Sequence, residues 1–166
     1  MMVLRFTQSL LKDMKVTSIE NDEDIPLFYS WHVNIYKLNN RKHIIFINDL
    51  SRLCVIIDGV KSTQIKVLKE KFLSTLNAYL LSEGVTQSII NAYLEDGSEM
   101  IISKTNNRSV LGTMKEVTMY TTDTHLEFND NIERMKWLNK LIYKPIDYKV
   151  LGFVIRGTLY EILEEQ

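Results

Sequence analysis

The chain has 166 residues, of which 45% are hydrophobic and 25% are charged, and its formal net charge is −1. This length suits one compact domain with its own core and is short for two, so we expect a single globular domain over residues 1–166. The balanced charge gives no overall attraction to nucleic acid or to an acidic membrane, so either partner would require a local basic patch.

The chain contains one cysteine, Cys54, which lies within the apolar run RLCVIID. A small thiol packs readily in such a run, and no second cysteine exists to pair with it in the chain. We therefore expect a reducing, cytoplasmic setting. The first residues, MMVLRFTQSLLKD, carry charge among their apolar residues and lack the apolar region of a signal peptide, and the other apolar runs reach only strand length. We expect no membrane segment.

The first elements are predicted to be a strand, a helix and an acidic loop. MVLRF is typical of a short strand, and TQSLLKDM places apolar residues at helical spacing after Thr7, which suits an N-cap. The following VTSIENDEDIPLF gathers four carboxylates before Pro26 and indicates a solvated loop. These carboxylates lack the alternate spacing and the glycine turn of a calcium loop, so we prefer solvation to binding of a metal or of a basic partner.

Three strand-like runs follow: SWHVNIYKL, HIIFIND and RLCVIID. The NNRK between the first two suits a hairpin, because Asn tolerates the left-handed conformation of tight turns. Connections this short force neighbouring strands to run antiparallel, which predicts a three-stranded meander. Alternation along the first strand puts Trp31, Val33 and Ile35 on one face, expected to be core. His32, Asn34 and Tyr36 fall on the other, which we expect to be partly exposed to water.

Four helices and one further strand are predicted after the meander. The strongest helical pattern is STQIKVLKEKFLSTLNAYLLSEG, whose apolar stripe includes Leu68, Phe72 and Leu76. TQSIINAYLED predicts a shorter helix and EMIISKT a strand, and further helices are expected from about Ser109 and from Asp130. The tail, DYKVLGFVIRGTLYEILEEQ, predicts a short strand and a terminal helical turn.

The order of these elements indicates the fold class. The strands cluster early in the chain instead of alternating with helices. We therefore expect an α+β fold with a mainly antiparallel sheet, formed by the meander and further strands, and with helices packed on one face.

A search for catalytic chemistry finds no complete motif. The nucleophile elbow G-x-S-x-G and the phosphate loop G-x-x-x-x-G-K-[ST] are both absent from the sequence. Of the scattered histidines, His32 and His43 would lie about four residues apart on neighbouring strands, too far to share a metal. Asp49 and Asp58 fall at strand ends, so paired-carboxylate catalysis stays open, but no lysine has the nuclease spacing. Cys54 fits a buried thiol better than a nucleophile. We expect no metal and no cofactor.

Cations outnumber acids between residues 37 and 71. This segment is a possible phosphate-facing surface, with Tyr36 and His43 beside it as possible stacking groups for single-stranded nucleic acid. Such cations more often keep a turn and the outer face of a helix soluble. We therefore treat nucleic acid as a possible partner that the net charge does not support.

The polar run SKTNNRSVLGTM joins the last predicted strand to a helix. Its structural interpretation is a helix N-cap in which Asn107 or Asn106 accepts from free backbone amides, with Ser109 in the first turn. Arg108 fits this interpretation poorly, because a cation at a helix N-terminus is opposed by the helix dipole. We expect Arg108 to meet either an anion or a carboxylate such as Asp49, and we favour the carboxylate.

Three segments carry a resemblance to a known family: LRFTQSLLKDM, SWHVNIYKLNNRKHIIFIND and KTNNRSVLGTMKE. They resemble an uncharacterised bacterial domain family of unknown function with a WHANL-like strand, an RK pair before an apolar strand ending in ND, and an NRSVLGSMND motif. The resemblance extends to about Glu116. The chain departs from it with Val33 for Ala, Thr113 for Ser and KE for the final ND. The resemblance implies no known activity and only a weak association with plasmid-encoded proteins.

These observations favour a non-catalytic binding or protein-interaction module, with a protein as the possible partner. The alternative is a nucleic-acid-processing or nucleotide-binding enzyme that uses Asn48, Asp49 and Arg108. In either case we expect the polar site on the second sheet face, beside the turn that bears Arg41 and Lys42. The candidate site residues are His32, Asn34, Arg41, Lys42, Asn48, Asp49, Lys104, Asn107, Arg108 and Ser109.

Overall fold

The structure, a computed structural model, describes residues 1–20, 24–123, 128 and 130–142. Within these residues one sheet is formed by five strands, β1 (Met2–Phe6), β2 (Ser30–Leu38), β3 (Arg41–Asn48), β4 (Cys54–Asp58) and β5 (Met100–Lys104), in the spatial order β4-β3-β2-β1-β5. The predicted tail elements lie outside the described residues.

The α+β class and the meander are confirmed, but the prediction of a mainly antiparallel sheet is wrong. β2, β3 and β4 pair antiparallel, whereas β1 runs parallel to both of its neighbours, β2 and β5. The physical reason lies in the connections. A helix and a loop separate β1 from β2, and two helices precede β5, so both strands return by crossovers long enough for parallel pairing.

The helices are α1 (Gln8–Met14), α2 (Ile65–Ser82), α3 (Gln87–Asp96), α4 (Arg108–Asp123) and α5 (Asn131–Ile142), with a short 3-10 turn at Leu27–Tyr29. Thr7 caps α1, because its hydroxyl accepts from the Leu10 amide at 3.3 Å. The carboxylate of Asp130 accepts from the Glu133 amide at 2.8 Å at the start of α5. In the hairpin, Asn39 and Asn40 have φ values of 52° and 63°, as the sequence predicted for a tight left-handed turn.

The first face of the sheet packs on α2, as predicted. The ring of Phe72 lies edge-on to Trp31 with centroids 5.0 Å apart, and it stacks on Phe46 at 4.2 Å. All three side chains are buried. Buried aromatic area of this kind supplies a large share of the hydrophobic stabilisation of a domain.

The second face is also covered, so two predictions are wrong: that this face is partly wet and that the helices lie on one side. α4 packs on β2 and β3, and His32, which points away from the Trp31 face, is 0% exposed. The reason is visible in β3. IIFI is apolar at every position, and a strand with continuous apolar residues requires cover on both faces.

Side chains from helices bond to the backbone at both edges of the sheet. On β4, the Asn139 amide accepts from the Cys54 N–H at 2.7 Å and donates to the Cys54 carbonyl at 3.1 Å, and Asn131 donates to the Ile56 carbonyl. On β5, Lys69 donates to the Met100 carbonyl. None of the helices in the described part of the chain combines the length and apolar character needed to cross a bilayer.

Candidate functional site

The described structure brings together Asp49 and His32 at the start of β2 and the end of β3. Asp49 Oδ1 lies 2.7 Å from His32 Nδ1, and Asp49 Oδ2 accepts from the Ser30 hydroxyl at 2.6 Å. The two side chains are 3% and 0% exposed. The pair therefore forms the centre of a buried polar network on the second sheet face.

Hydrogen bonding fixes the tautomer of His32. Its Nε2 accepts from the backbone N–H of Asn106 at 3.2 Å, so the ring proton lies on Nδ1 and is donated to Asp49. Both ring nitrogens are thus in use. This bond also ties the loop between β5 and α4 to the centre of the sheet.

Arg5 is a member of the network that the sequence analysis missed. Its Nε donates to the Ser30 hydroxyl and its Nη1 to the Lys104 carbonyl, both at 3.3 Å. Burial lowers the pKa of Arg5, and the charge of Asp49 acts in the opposite direction. The signal was present in MVLRF, where one charged residue interrupts a buried strand, and such a charge requires a partner.

Asn48 has a structural role in the turn after β3. Its amide nitrogen donates to the Phe28 carbonyl at 2.9 Å, and its oxygen accepts from the Leu50 and Ser51 amides. The Ser51 hydroxyl also donates to this oxygen at 3.1 Å. Because all of these partners belong to the protein, Asn48 positions Asp49 and does not offer its amide to a ligand.

Arg52 is the second residue that the sequence analysis missed. Its φ is 63°, a left-handed conformation that is costly for a residue with a Cβ. Its guanidinium donates to the Asp49 carbonyl and to the Ser109 hydroxyl, each at 3.0 Å. Arg52 thereby links the β3-to-β4 turn with the first turn of α4. Its position in a turn gave no sequence signal for either contact.

The polar run before α4 forms the predicted cap. Asn107 Oδ1 accepts from the amides of Ser109 and Val110 at 2.9 and 3.2 Å. The favoured pairing of Arg108 with Asp49 is wrong, because the carboxylate of Asp49 accepts hydrogen bonds from the Ser30 hydroxyl and the His32 ring instead. Arg108 is exposed and has no hydrogen bond or ion pair with any residue that the structure describes. The side chain of Lys104 is exposed as well.

Three predicted site residues lie away from this network. Asn34 accepts from the Thr7 hydroxyl at 2.6 Å and holds the start of α1. Lys42 pairs with Asp13 at 2.5 Å, and Arg41 is exposed beside it. In the β2–β3 register, Arg41 pairs with Leu38 and Asn48 pairs with Trp31, seven residues earlier along β2. At the usual rise per strand residue, the hairpin is therefore about 23 Å from Asp49. The prediction that places this turn beside α4's N-terminus is wrong.

Among the residues that the structure describes, no group of three or more His, Cys, Asp or Glu side chains could hold a metal ion. The register confirms the predicted spacing of the two histidines. His43 pairs with Tyr36, four residues along β2 from His32.

Comparison with known proteins assigns the chain to a family. It belongs to the family described as Domain of unknown function (DUF6933), which matches residues 3–150. This match confirms the resemblance to a domain-of-unknown-function family. No curated protein and no solved structure matches the chain.

Proposed function

We propose that the protein is a non-catalytic binding module that docks an acidic segment of a protein partner. The observation that carries this proposal is that the Asp49–His32 pair is buried and bonded to groups of the protein itself. A general base needs a free lone pair within reach of a substrate. His32 Nε2 is already an acceptor for the Asn106 amide, and both Asp49 oxygens have partners.

The surface proposed for docking surrounds this buried pair, and we call it the rim. It consists of the exposed side chains of Leu27, Leu50, Lys104 and Arg108 and the half-buried side chain of Arg52. Leu27 and Leu50 are 53% and 45% exposed and flank the two segments that Asn48 holds together. Exposed leucines complement a partner with apolar side chains, and Lys104 and Arg108, whose side chains bond to no residue that the structure describes, complement acidic ones.

The backbone of Arg52 also supports a role for the rim. Glycine or asparagine would adopt its left-handed conformation at lower cost. A left-handed arginine is therefore explained by its guanidinium, which orders the rim by bridging Asp49 and Ser109. We also propose a cytoplasmic setting, supported by the reduced and buried Cys54.

The docking experiment uses a synthetic helical peptide with leucine and glutamate on one face. We expect it to shift the amide resonances of Leu50, Arg52 and Arg108 in a saturable way, and Arg108→Ala to weaken binding by about tenfold. A peptide with lysine for glutamate is the matched ligand control. Arg52→Asn keeps a residue that tolerates the left-handed turn and removes the cation. Equal binding of the two peptides would contradict the proposal.

A turnover assay separates this proposal from the enzymatic alternative. We expect labelled RNA, DNA and nucleotides to remain unaltered after incubation with the protein and a divalent metal. Turnover by the wild type that is lost in both Asp49→Ala and Arg108→Ala would overturn the non-catalytic proposal in favour of a nucleic-acid-processing enzyme.

A further inference from the structure

A second polar cluster lies on the same sheet face, near the hairpin. Tyr36, His43 and Asp58 are register partners across β2, β3 and β4, so their side chains form a row. The rings of Tyr36 and His43 stack with centroids 5.2 Å apart and planes inclined by 20°. Asp58 Oδ1 lies 3.7 Å from His43 Nδ1, which is too long for a hydrogen bond.

Arg134 belongs to α5, which packs on β4, the strand that carries Asp58. Its Nη2 donates to Asn131 Oδ1 at 2.7 Å, and Asn131 in turn donates to the Ile56 carbonyl of β4. The positive charge of Arg134 affects the pKa of both ring side chains, Tyr36 and His43. Burial lowers the pKa of His43, and Arg134 lowers it further. Burial raises the pKa of Tyr36 to about 12, and Arg134 acts in the opposite direction.

Three buried polar atoms of this cluster have no partner with hydrogen-bond geometry among the described residues: Tyr36 Oη, His43 Nδ1 and Arg134 Nε. Thr121 is close enough to lower the pKa of Tyr36 but does not reach that geometry. Tyr36 and His43 are only 8% and 7% exposed. A buried polar group without a partner is costly, so three in one cluster call for a compensating group.

The chemistry of the three atoms defines what that group is. Arg134 Nε–H can only donate, the Tyr36 hydroxyl is protonated and donates, and His43 Nδ1 can donate in one tautomer. A compensating group must therefore accept several hydrogen bonds. The nearest carboxylate, that of Asp58, is 83% exposed and does not reach hydrogen-bonding distance.

We propose that Tyr36, His43 and Arg134 form a binding site for a small oxyanion, a carboxylate or phosphate group, on the second sheet face near the hairpin. The guanidinium supplies the charge, and the phenol and imidazole supply directed donors. This site is independent of the rim, since it lies at the other end of β2.

The test follows the ring resonances of His43, which every variant keeps, by NMR during titration with inorganic phosphate, acetate or AMP. We expect a saturable shift for at least one of them, and the three arms distinguish a free phosphate, a carboxylate and a phosphate ester. Tyr36→Phe removes one donor and keeps the ring, and should weaken binding by about tenfold. Arg134→Lys removes Nε–H and should weaken it further.

Lys66→Ala, which removes an exposed cation from α2 on the opposite sheet face, is the control, and it should bind as the wild type does. The absence of a saturable shift at about 50 mM of every ligand would assign the cluster to a bound water and overturn the proposal. Equal weakening by Lys66→Ala and Arg134→Lys would also overturn it, because that result indicates general attraction to surface charge. If one variant does not fold, the other decides the outcome.

Discussion

At the scale of single residues, Asp49 accepts from two buried groups at once, the Ser30 hydroxyl and the His32 ring. Asp49→Ala leaves both donors without an acceptor. We expect the free energy of unfolding to fall by about 2 to 4 kcal/mol, since each buried donor that loses its partner costs about 1 to 3 kcal/mol. Urea unfolding measures this change.

The control for this variant is Glu70→Ala, which removes an exposed carboxylate from α2. It should change the unfolding free energy by no more than about 0.5 kcal/mol. If Asp49→Ala matches this control, the buried network does not stabilise the fold, and its role must be sought in binding or chemistry.

His43 should make stability depend on pH. Burial, Arg134 and Arg41 lower its pKa, and Asp58 opposes them, so the net direction is downward from the usual value of 6.5. The folded chain then binds this proton less readily than the unfolded chain. The contribution of His43 is fully present above pH 6.5 and is lost as the pH falls through that value toward the folded pKa.

His43→Gln removes the titrating ring and tests this dependence. We expect the variant to lose less stability than the wild type between about pH 7.5 and about pH 5.5. Urea unfolding at a series of pH values provides the comparison. Parallel curves for the two proteins would show that His43 does not titrate differently in the folded chain.

At the scale of single elements, α5 takes the place of a sixth strand beside β4. Asn139 satisfies both backbone groups of Cys54. Asn139→Ala should lower the unfolding free energy by about 1 to 3 kcal/mol and increase association at high protein concentration, because an open strand edge pairs with other chains. Chemical unfolding and sedimentation measure the two effects.

Lys140→Ala, at the exposed neighbouring position of α5, is the control and should remain like the wild type in both measurements. A destabilised Asn139→Ala protein that stays monomeric would mean that the edge remains covered by other side chains of α5.

The elements themselves followed from local sequence signals. Thr7, Asn107 and Asp130 cap helices as their positions predicted, and the Asn39–Asn40 turn adopts the expected conformation. Such features depend on neighbours a few residues away. The parallel pairing of β1 depends on β5, almost a hundred residues later, and no local pattern encodes that contact.

At the scale of the whole molecule, the sheet combines pairings of very different sequence separation. β2 and β3 are joined by a two-residue turn, whereas β1 must find β5 across most of the chain. Loop closure costs more for longer loops, so we expect the hairpin to form early and the β1–β5 pair late.

Matched isoleucine variants test this order. Ile45→Ala in β3 and Ile102→Ala in β5 each remove a buried side chain and should destabilise the protein by about 2 to 5 kcal/mol. We expect a φ-value above about 0.5 for Ile45→Ala and one below about 0.3 for Ile102→Ala. Stopped-flow folding and unfolding rates give both values, and the reverse order would refute this pathway.

The candidate site was only partly predictable for the same reason. The polar residues His32, Asp49 and Asn107 were identified from sequence, since polar side chains at strand and helix ends stand out. Arg5 and Arg52, which complete the network, lie on other elements. The lone charge in MVLRF indicated that Arg5 needs a partner but not which one, and the turn gave no signal for the contacts of Arg52. Arg108 stood out for its unfavourable position at a helix start, but position alone does not supply a partner.

Because Asn139 bonds to Cys54, two separate reactions of Cys54 can report one event, the detachment of α5 from the edge of the sheet. The Cys54 N–H is bonded to a helix side chain, so its exchange with deuterated solvent requires α5 to leave the sheet edge. Burial raises the pKa of the Cys54 thiol and keeps it unreactive while the chain is closed. Alkylation of the sulfur and deuteration of the nitrogen therefore both report the detachment of α5, and they do so without any label introduced into the protein.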